Sequence, residues 1–453
     1  MTYEQFTEKL FAEAARAGIA PAEVYYAERD SVQVSTHKQA LETFAVSSTA
    51  GLSFRGMVGG RMGYASTEAL DEDAVAMLIK GVSESAALVE DEDVQEIFAG
   101  SPAYAPVETF CAALDALPAA AHIEAAVALE WSGITRHPLV AESDYNQTSY
   151  VKSRISLRNS YGLSLSHQDN VRFAFISLVA RSGDRAADGM AFSVGRSTYP
   201  DAGASDPDMD AKLAEATDYA VRMLDAAPVP SGRMPAVFRR EAMADMLGCF
   251  ADAFSAEAAQ KGLSLLKGRE GEVIAAPCVS LIDDPLLAGG LASCPFDAEG
   301  VATYQKEVIA QGRLNTLLHN LKTARVGGVR STGNAAKASY SAPVRVAPTN
   351  FYLAPGSDSL EALLRGMGDG LLITELDGLH AGTNGVSGDF SLSAKGFVVG
   401  GGSLGRAVEQ ITVAGNFYTL LQEIVAVGGD LYFGPDGTGS PSVRVQALSV
   451  AGS

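Results

Sequence analysis

The chain contains few histidines, which limits the metal chemistry that it can carry by itself. It has six among 453 residues, at positions 37, 122, 137, 167, 319 and 380. A zinc peptidase usually places two histidines one helical turn apart, so that both imidazoles face the same ion. The closest pair here, His122 and His137, is 15 positions apart. The sequence therefore offers no histidine motif for a catalytic zinc.

Cysteine is equally scarce, and its spacing excludes two further kinds of site. The four cysteines, Cys111, Cys249, Cys278 and Cys294, lie far apart and form no C-x-x-C pair. A disulfide framework or a structural zinc site needs closely spaced or paired cysteines. We expect these four to be buried as small apolar side chains.

Basic residues are outnumbered by acidic ones. The chain has 34 Lys and Arg against 54 Asp and Glu, which gives a net charge of −20. Such a charge repels the phosphate backbone of nucleic acids unless a local basic patch overrides it, and the sequence shows no such patch. We therefore expect no nucleic-acid partner.

No run of apolar residues approaches the length that a membrane-spanning helix needs. The first residues, MTYEQFTEKLFAEAARAG, are amphipathic and acidic and do not resemble a secretory signal. We therefore expect no membrane partner and a cytoplasmic location.

The residues that are present are those of a large globular protein. With 47% hydrophobic residues in 453, the chain can bury an extensive core and should form about two domains. The stretch Pro228 to Gly232 is the best candidate for the boundary. We predict an α+β fold, with a mixed domain of antiparallel sheet and helices over residues 1–228 and a strand-dominated domain over residues 229–453.

Periodicity predicts the elements of the first half. Short strands are expected at Ala22–Arg29, Ser31–His37, Glu42–Ser48 and Ala50–Arg55, because they are rich in Val, Tyr, Phe and Thr. Longer strands are predicted at residues 139–144, 148–159 and 163–182, an acidic linker at 90–96 and a loop at 195–207. Helical spacing predicts helices from Tyr3 to Gly18 and at residues 71–88, 107–116, 120–128 and 208–224.

The second half is expected to contain more strands and glycine loops. Residues 303–310 and 314–319 should form a hairpin around Gln311-Gly312, followed by a helix from Leu321 that Gly327-Gly328 ends. Asp297, Glu299 and His319 have an ordinary interpretation here as turn and surface residues. Further helices are predicted at residues 239–262, 359–366 and 416–427, and a strand at 277–284.

One catalytic motif can be set aside. Gly401 to Gly405 matches G-x-S-x-G, but a nucleophile elbow must connect a strand to a helix. Both flanking segments resemble strands, so we interpret this match as the turn of a hairpin. The sequence also contains no Walker A motif and no dinucleotide fingerprint.

Several longer segments resemble a known family. PFDAEGVATYQKEVIAQGRL (295–314), TARVGG (323–328) and STGNA (331–335) are similar to the central signature of the PmbA/TldE family, whose members pair with TldD in a two-component bacterial metallopeptidase. LDGLHAGTNGVSGDFSLSAKGF (376–397) and ITVAGNFYTLLQEIVAVGGDL (411–431) match it as well. Together they cover most of residues 277–430 in the family's order, while the N-terminal half resembles the family more weakly.

The resemblance also indicates what this chain lacks. TldD-like chains carry an HExxxH helix at a place that corresponds here to Arg240-Glu241-Ala242-Met243-Ala244-Asp245, so that only the glutamate is kept. They also supply a cysteine near the C-terminus, whereas Gly428 to Ser453 contains none. The resemblance thus implies no metal ligand, catalytic residue or cofactor in this chain, with zinc in the partner subunit. Glu241 by itself is interpreted as a first-turn acid that complements a helix N-terminus.

Two polar segments within the signature are candidates for a substrate- or partner-facing role. One contains His380, Thr383, Asn384, Ser387 and Asp389, and the other Ser331 and Thr332. A Ser/His/Asp triad drawn from so short a span would be unusual, because triads take their members from separated elements. The alternative for the first segment is a polar glycine-rich loop closed by local hydrogen bonds.

The resemblance implies the TldE/PmbA-like, metal-free subunit of a metallopeptidase that acts on peptides or unfolded segments. Its partners would be an HExxxH-bearing TldD-like subunit and a peptide substrate, with a two-fold homodimer possible in isolation. A rival hypothesis is a self-associating binding or maturation factor without a peptidase role. A third is a peptidase that acts alone through an unrecognised site.

Overall fold

The computed structural model describes residues 1–89, 95–199 and 207–453. Within these ranges the chain forms eleven α-helices and twenty strands in mixed sheets, which confirms the predicted α+β class. Most of the predicted acidic linker at 90–96 lies outside the described residues, as does most of the loop at 195–207.

The first sheet is antiparallel, with strand order β3-β2-β1-β4-β5-β6. Its strands are β1 (Ala22–His37), β2 (Ala40–Val58), β3 (Arg61–Thr67), β4 (Val140–Asn159), β5 (Ser164–Ser182) and β6 (Arg185–Gly195). The four short strands predicted before residue 55 are therefore two long ones. Ser31 does not interrupt β1 because it is paired with Ser47 on one side and Val151 on the other.

Helices cover one face of this sheet. They are α1 (Tyr3–Arg16), α2 (Glu72–Ala87), α3 (Ala112–Asp115), α4 (Ala119–Ile134) and α5 (Pro207–Met223). Thr2 caps α1 in a reciprocal pair with Gln5, and Phe6 and Leu10 pack into a core with Phe54 of β2. At the other end, Leu213 of α5 packs with residues of β5 and β6.

The helix predicted at 107–116 is largely wrong. Only α3 is helical, because the preceding residues bond to β5 instead of to each other. The Asn170 N–H donates to the Thr109 carbonyl at 3.0 Å, and the Cys111 N–H donates to the Asn170 side chain at 2.7 Å. These tertiary hydrogen bonds outweigh the helical spacing of the sequence.

The second half builds two further six-stranded sheets, of order β10-β9-β8-β13-β19-β18 and β16-β15-β14-β7-β20-β17, and a two-stranded pair, β11-β12. Their strands are β7 (Gly232–Phe238), β8 (Leu281–Asp283), β9 (Lys306–Ala310), β10 (Arg313–Leu314), β11 (Ala335–Ala336), β12 (Arg345–Val346), β13 (Phe351–Leu353), β14 (Gly370–Asp377), β15 (Asp389–Gly400), β16 (Ser403–Asn416), β17 (Ile424–Val427), β18 (Tyr432–Phe433), β19 (Thr438–Ser440) and β20 (Val443–Ala451). The division at residues 228/229 stays a prediction.

The helices of this half are short. They are α6 (Arg240–Cys249), α7 (Ala256–Gln260), α8 (Leu321–Gly327), α9 (Leu360–Met367), α10 (Leu379–Gly382) and α11 (Phe417–Glu423). The predicted end of α8 is confirmed, since Gly328 is left-handed with φ 66°. The helix predicted at 239–262 is broken by a 3₁₀ turn, Ala251–Phe254, and the one predicted at 416–427 ends at Glu423, where β17 begins to pair with β20.

Aromatic side chains fill the core of the second half. Phe250 and Phe417 stack with ring centroids 4.5 Å apart, and Phe254 meets Phe351 edge-on at 5.6 Å. Burying rings of this size contributes much of the hydrophobic free energy of such a core. None of the helices in the described ranges combines the length and apolar composition that spanning a bilayer requires.

A buried ion cluster joins the first sheet to the signature segment. The Arg55 Nε of β2 donates to Glu23 at 2.7 Å, and its Nη1 lies 3.6 Å from Glu299. Asp297, Glu299 and His319 are all buried, so the expectation that they are surface residues was wrong. The Asp297 carboxylate accepts hydrogen bonds from the N–H groups of Glu299, Val301 and Ala335, which fixes the loop.

The cysteines also differ from expectation. Cys278 is exposed, and the other three are half-buried with free thiols. They are not the fully buried apolar side chains that the sequence suggested.

Candidate functional site

The candidate site is built around the first turn of α6, which follows directly on strand β7. The Arg239 N–H donates to the Ile373 carbonyl of β14 at 2.8 Å, and the Arg240 N–H donates to Ser442 Oγ at 3.1 Å. These bonds fix where the helix begins, between the sheets of the second half. The segment that resembles the HExxxH helix of TldD-like chains therefore lies on a rigid support.

Two arginines and two glutamates form a charge network at this turn. Arg240 Nε donates to Glu241 Oε1 at 2.8 Å, while Arg239 Nε lies 3.1 Å from Glu241 Oε2. Glu215 of α5 forms an ion pair with Arg239, and its other oxygen is 3.6 Å from Arg240. Both oxygens of Glu241 thus face a guanidinium group. No sequence signal pointed to Glu215, which lies 25 positions before Arg240 on another helix.

The network shifts the pKa values of its members. Burial lowers the pKa of Arg240, but the Glu241 carboxylate, Asp430 and Tyr432 together outweigh it, so the net pKa is raised. For Arg239 burial is the larger effect and the pKa is lowered. A free guanidinium pKa is so high that both groups are cations near neutral pH.

Two cavities meet at this network. One, of about 530 Å³, is lined by Phe192, Val194, Asp208, Ala211, Lys212, Glu215, Arg240, Leu287, Ala288, Gly289, Gly290, Leu291, Leu431, Tyr432 and Phe433. The other, of about 490 Å³, is lined by Glu215, Arg239, Arg240, Ser357, Asp358, Ser359, Leu360, Glu361, Gly429 and Asp430. Glu215 and Arg240 belong to both. Each cavity is large enough for a few side chains of a peptide.

Acidic residues of the C-terminal stretch approach α6. Asp436 comes so close to Gly248 that a Cβ there would lie 3.2 Å from its carboxylate. Its oxygens accept hydrogen bonds from the N–H and hydroxyl of Thr438, both at 2.9 Å. Asp430 is bonded in the same way by the N–H and hydroxyl of Ser442. Both carboxylates are thus engaged within their own loop.

Asp245 lies one turn further along α6 and is accessible to solvent. Desolvation by the surrounding protein raises its pKa to about 6, and Asp436, Glu241 and Glu375 add to the effect. Burial also raises the pKa of Cys249, with smaller contributions from Asp245 and Asp436. The thiol is therefore protonated at neutral pH.

These residues do not fit a zinc ion. Zinc is held by neutral imidazoles, thiolates and carboxylates, whereas α6 offers a guanidinium, an ion-paired glutamate, a single aspartate and the protonated thiol of Cys249. Across residues 1–89, 95–199 and 207–453, no three or more His, Cys, Asp or Glu side chains are grouped so that they could hold a metal ion. What the arrangement offers is a charged, cavity-lining surface.

The polar segment at 380–389 lies beside this surface, because α10 packs against α6. His380, Asn384 and Asp389 are exposed, while Thr383 and Ser387 are half-buried. Local hydrogen bonds close the loop: Asn384 accepts from the N–H groups of Val386 and Ser387, and Ser387 Oγ donates to Asp389 at 2.8 Å. Hydrogen bonds from Asn416 and Ser387 lower the pKa of Asp389.

The second polar segment, Ser331 and Thr332, forms its hydrogen bonds in a different part of the fold. Thr332 is buried, and its hydroxyl donates to Asn334 Oδ1 at 2.7 Å, while Ser331 Oγ donates to the His319 carbonyl at 3.2 Å. Within the described residues, no hydrogen bond joins Ser331 or Thr332 to the loop at 380–389. The substrate- or partner-facing role of both segments stays a prediction.

The G-x-S-x-G match is the turn that was expected. Gly401 and Gly402 connect β15 to β16, which are paired antiparallel from Gly400 and Ser403 onward. Ser403 therefore starts a strand and not a helix, and a nucleophile elbow is excluded.

Comparison with known proteins places these features in a family. The PmbA/TldA metallopeptidase C-terminal domain matches residues 231–452, and domain 1 of the same family matches residues 22–86. A metalloprotease of Methanothermobacter thermautotrophicus is 32% identical over 52% of this chain and 54% of its own length. Metalloprotease PmbA of Escherichia coli O157:H7 is 33% identical over 44% of this chain and 42% of its own. The chain thus spans about half the length of the curated relatives it matches.

Two solved structures share the fold over nearly the whole chain. A protein from Thermotoga maritima, described as a candidate modulator of a DNA gyrase, is 31% identical, with a TM-score of 0.90 and coverage of 99% of this chain and 100% of its own. TldE from Thermococcus kodakarensis shares the fold at 21% identity, with a TM-score of 0.88 and coverage of 99% and 100%. The chain belongs to the PmbA/TldD family of metallopeptidase-like proteins.

Proposed function

We propose that this chain is a TldE/PmbA-like subunit of a two-component metallopeptidase that processes or degrades peptides and unfolded segments. In this proposal the catalytic zinc belongs to an HExxxH-bearing TldD-like partner, and this chain contributes no ligand to it. The observation that carries the proposal is the network of Arg239, Arg240, Glu241 and Glu215 at the first turn of α6.

The network is incompatible with zinc catalysis for a simple electrostatic reason. Arg240 occupies the place of the first histidine of the motif, and its raised pKa keeps it positively charged. A guanidinium has no lone pair to donate, and its charge repels a divalent cation. Glu241 takes the place of the catalytic base, but both its oxygens face arginines, so that it is held in ion pairs.

The same residues can help to admit a peptide. In the larger cavity, Phe192, Val194 and Phe433 provide apolar surface, while Lys212 and Arg240 provide charge. Apolar walls with a few fixed polar groups are typical of sites that hold side chains and exclude water. The loop at 380–389, which lies beside α6, would extend this surface toward the partner's zinc. The partner would then carry out the catalysis, and this chain would help to bind the peptide.

The test is cleavage of a fluorescently labelled unfolded peptide by this chain, by an HExxxH-bearing relative from the same genome, and by their mixture. We expect cleavage by the mixture alone, its loss on addition of a chelator and its recovery with zinc. A mixture in which the partner's motif glutamate is replaced by glutamine is the control and should be inactive.

Two results would contradict the proposal. Chelator-resistant cleavage by this chain alone would indicate a peptidase with an unrecognised site. A mixture that binds the peptide without cleaving it, under conditions in which the relative is loaded with zinc, would favour a binding or maturation factor.

A further inference from the structure

A strip of large apolar side chains crosses three neighbouring strands of the first sheet, β4, β5 and β6. Phe175 is directly opposite Phe192, and Phe173 is directly opposite Val194. Residues that are directly opposite each other in a sheet point to the same face. The full set, which we call the aromatic strip, is Tyr145, Phe173, Phe175, Met190, Phe192 and Val194.

The other face of these strands packs on the helices. Ala174 and Ile176 of β5 are buried in a core with Leu213 of α5. Successive side chains of a strand alternate between the two faces, so Phe173 and Phe175 point away from that core. All members of the aromatic strip keep exposed surface, and Tyr145 and Met190 are 48% and 50% exposed. The fold thus presents these side chains instead of burying them.

The members of the aromatic strip form one connected, uncharged surface. The ring centroids of Phe173 and Phe192 are 6.1 Å apart, and those of Tyr145 and Phe175 are 5.6 Å apart. On β4 the strip is bordered by Gln147, which accepts a hydrogen bond from the Tyr145 hydroxyl. In a chain with a net charge of −20, such a surface can bind apolar side chains without charge repulsion.

The size of the aromatic strip suits a short extended segment. Three strands span roughly 10 Å, and the stretch from Phe173 to Ser177 is roughly 14 Å long, so the strip covers on the order of 140 Å². A stable interface with a folded protein buries about 800 Å² on each partner. An extended segment of about five residues has the matching length, and its alternate side chains are about 7 Å apart, like those of Phe173 and Phe175.

The aromatic strip also leads into the candidate site. Phe192 and Val194 line the cavity of about 530 Å³ together with Arg240 at the start of α6. A segment that lies along the strip would therefore reach this cavity. The thioether of Met190 adapts to side chains of different shapes, which suits a surface that accepts many sequences.

We propose that the aromatic strip binds the large apolar and aromatic side chains of an unfolded polypeptide segment and directs that segment into the cavity at α6. The inference rests on the proposed function and specifies its substrates. They are unfolded segments with such side chains at alternate positions, because these point to the same side of an extended chain.

Fluorescence anisotropy with this chain alone tests the binding. The probe is a short labelled peptide with phenylalanine at every second position and serine between, compared with a peptide of the same composition with adjacent phenylalanines and with an all-serine peptide. We expect the alternating peptide to bind at least about tenfold more tightly than the second and the all-serine peptide not to bind.

Variants of the two most exposed members locate the site. Tyr145→Ser/Met190→Gln should weaken binding of the alternating peptide by at least about tenfold, whereas Tyr145→Phe/Met190→Leu should retain it, because the surface stays apolar. Tyr161→Ser/Met77→Gln is the matched control, since these residues are 56% and 46% exposed and lie outside the strip. Circular dichroism establishes that each variant is folded.

Cleavage by the mixture with an HExxxH-bearing relative separates this proposal from the proposed function. Tyr145→Ser/Met190→Gln should raise KM for the alternating peptide by at least about tenfold without lowering kcat. Failure of every mixture to cleave, with binding by this chain alone intact, would contradict the proposed function and still support the strip. The strip proposal is overturned if the unmodified chain binds the all-serine peptide equally well, or if Tyr145→Ser/Met190→Gln binds like the wild type. Loss of association with the relative in that variant would also overturn it, because the strip would then be a subunit interface.

Discussion

Arg240 and Glu241, consecutive residues in the first turn of α6, are joined by a hydrogen bond of 2.8 Å between Nε and Oε1. Charge-assisted contacts of this kind are stronger than neutral ones, and here the arginine is held further by Glu215 of α5. By resemblance, this contact lies at the position that corresponds to the start of the zinc motif in TldD-like chains. The function proposed for this chain depends on this pair.

Restoring the two missing histidines should not create an efficient peptidase. In Arg240→His/Asp245→His, two imidazoles and Glu241 as base leave one ligand short of the three that a catalytic zinc generally needs. The C-terminal stretch supplies no cysteine, and the oxygens of Asp436 are already bonded to Thr438. We expect weak zinc uptake and negligible turnover in a peptide-cleavage assay, with each single variant as control. Robust, chelator-sensitive cleavage without a partner would show that the site was nearly complete.

Asp245→Asn should change how stability depends on pH. The folded-state pKa of Asp245 is about 6, above the ordinary 3.8, so its contribution to stability is fully present below pH 3.8 and is lost as the pH rises through 6. The amide does not titrate. Asp245 is exposed to solvent, which weakens the effect. We therefore expect the free energy of unfolding of the variant, relative to that of the wild type, to increase by only about 1 kcal/mol from pH 4 to pH 7.5. Urea unfolding at both pH values measures this gain, and a difference that is independent of pH would argue against the raised pKa.

Arg55→Met should destabilise the fold strongly. It removes the cation that lies between the buried carboxylates of Glu23 and Glu299, and an uncompensated buried charge costs about 3–5 kcal/mol. Burial already raises the pKa of both glutamates although Arg55 opposes the shift, so its loss raises them further. The deficit in the free energy of unfolding should therefore be smaller at pH 5 than at pH 8. Adding Glu23→Gln and Glu299→Gln should recover part of it, and an equal loss at both pH values would contradict this explanation.

The sequence predicted those parts of the fold that depend on local chemistry. Gly328 ends α8 as expected because a left-handed cap favours a residue without a side chain, and Gly401-Gly402 forms the expected turn between strands. The helix predicted at residues 107–116 was largely wrong for the opposite reason. Their helical spacing is overridden by hydrogen bonds to Asn170, which is about 60 positions away in the chain and close only after β5 has formed.

The charge network on α6 was not predicted as a site, because the sequence pointed to the segment at 380–389 and to Ser331 and Thr332 as the substrate- or partner-facing residues. The sequence predicted a helix at 239–262, and the resemblance implied that Arg240 and Asp245 stand where TldD-like chains carry histidines. It could not show that Glu215 would complete the charge network, because a single glutamate on a distant amphipathic helix carries no local signal. The burial of Asp297 and Glu299 could likewise not be predicted from the sequence, because acidic residues in a glycine-containing turn are usually solvated.

Elemental analysis of the purified chain tests the central claim most directly. The chain is expressed with zinc in the medium, dialysed against zinc-free buffer and compared with an HExxxH-bearing relative prepared in parallel. Because the guanidinium of Arg240 and the ion-paired Glu241 leave no set of three ligands on α6, we predict far less than one zinc per chain, against about one for the relative. A content of about one zinc per chain after dialysis would contradict the assignment of this chain as the subunit without metal.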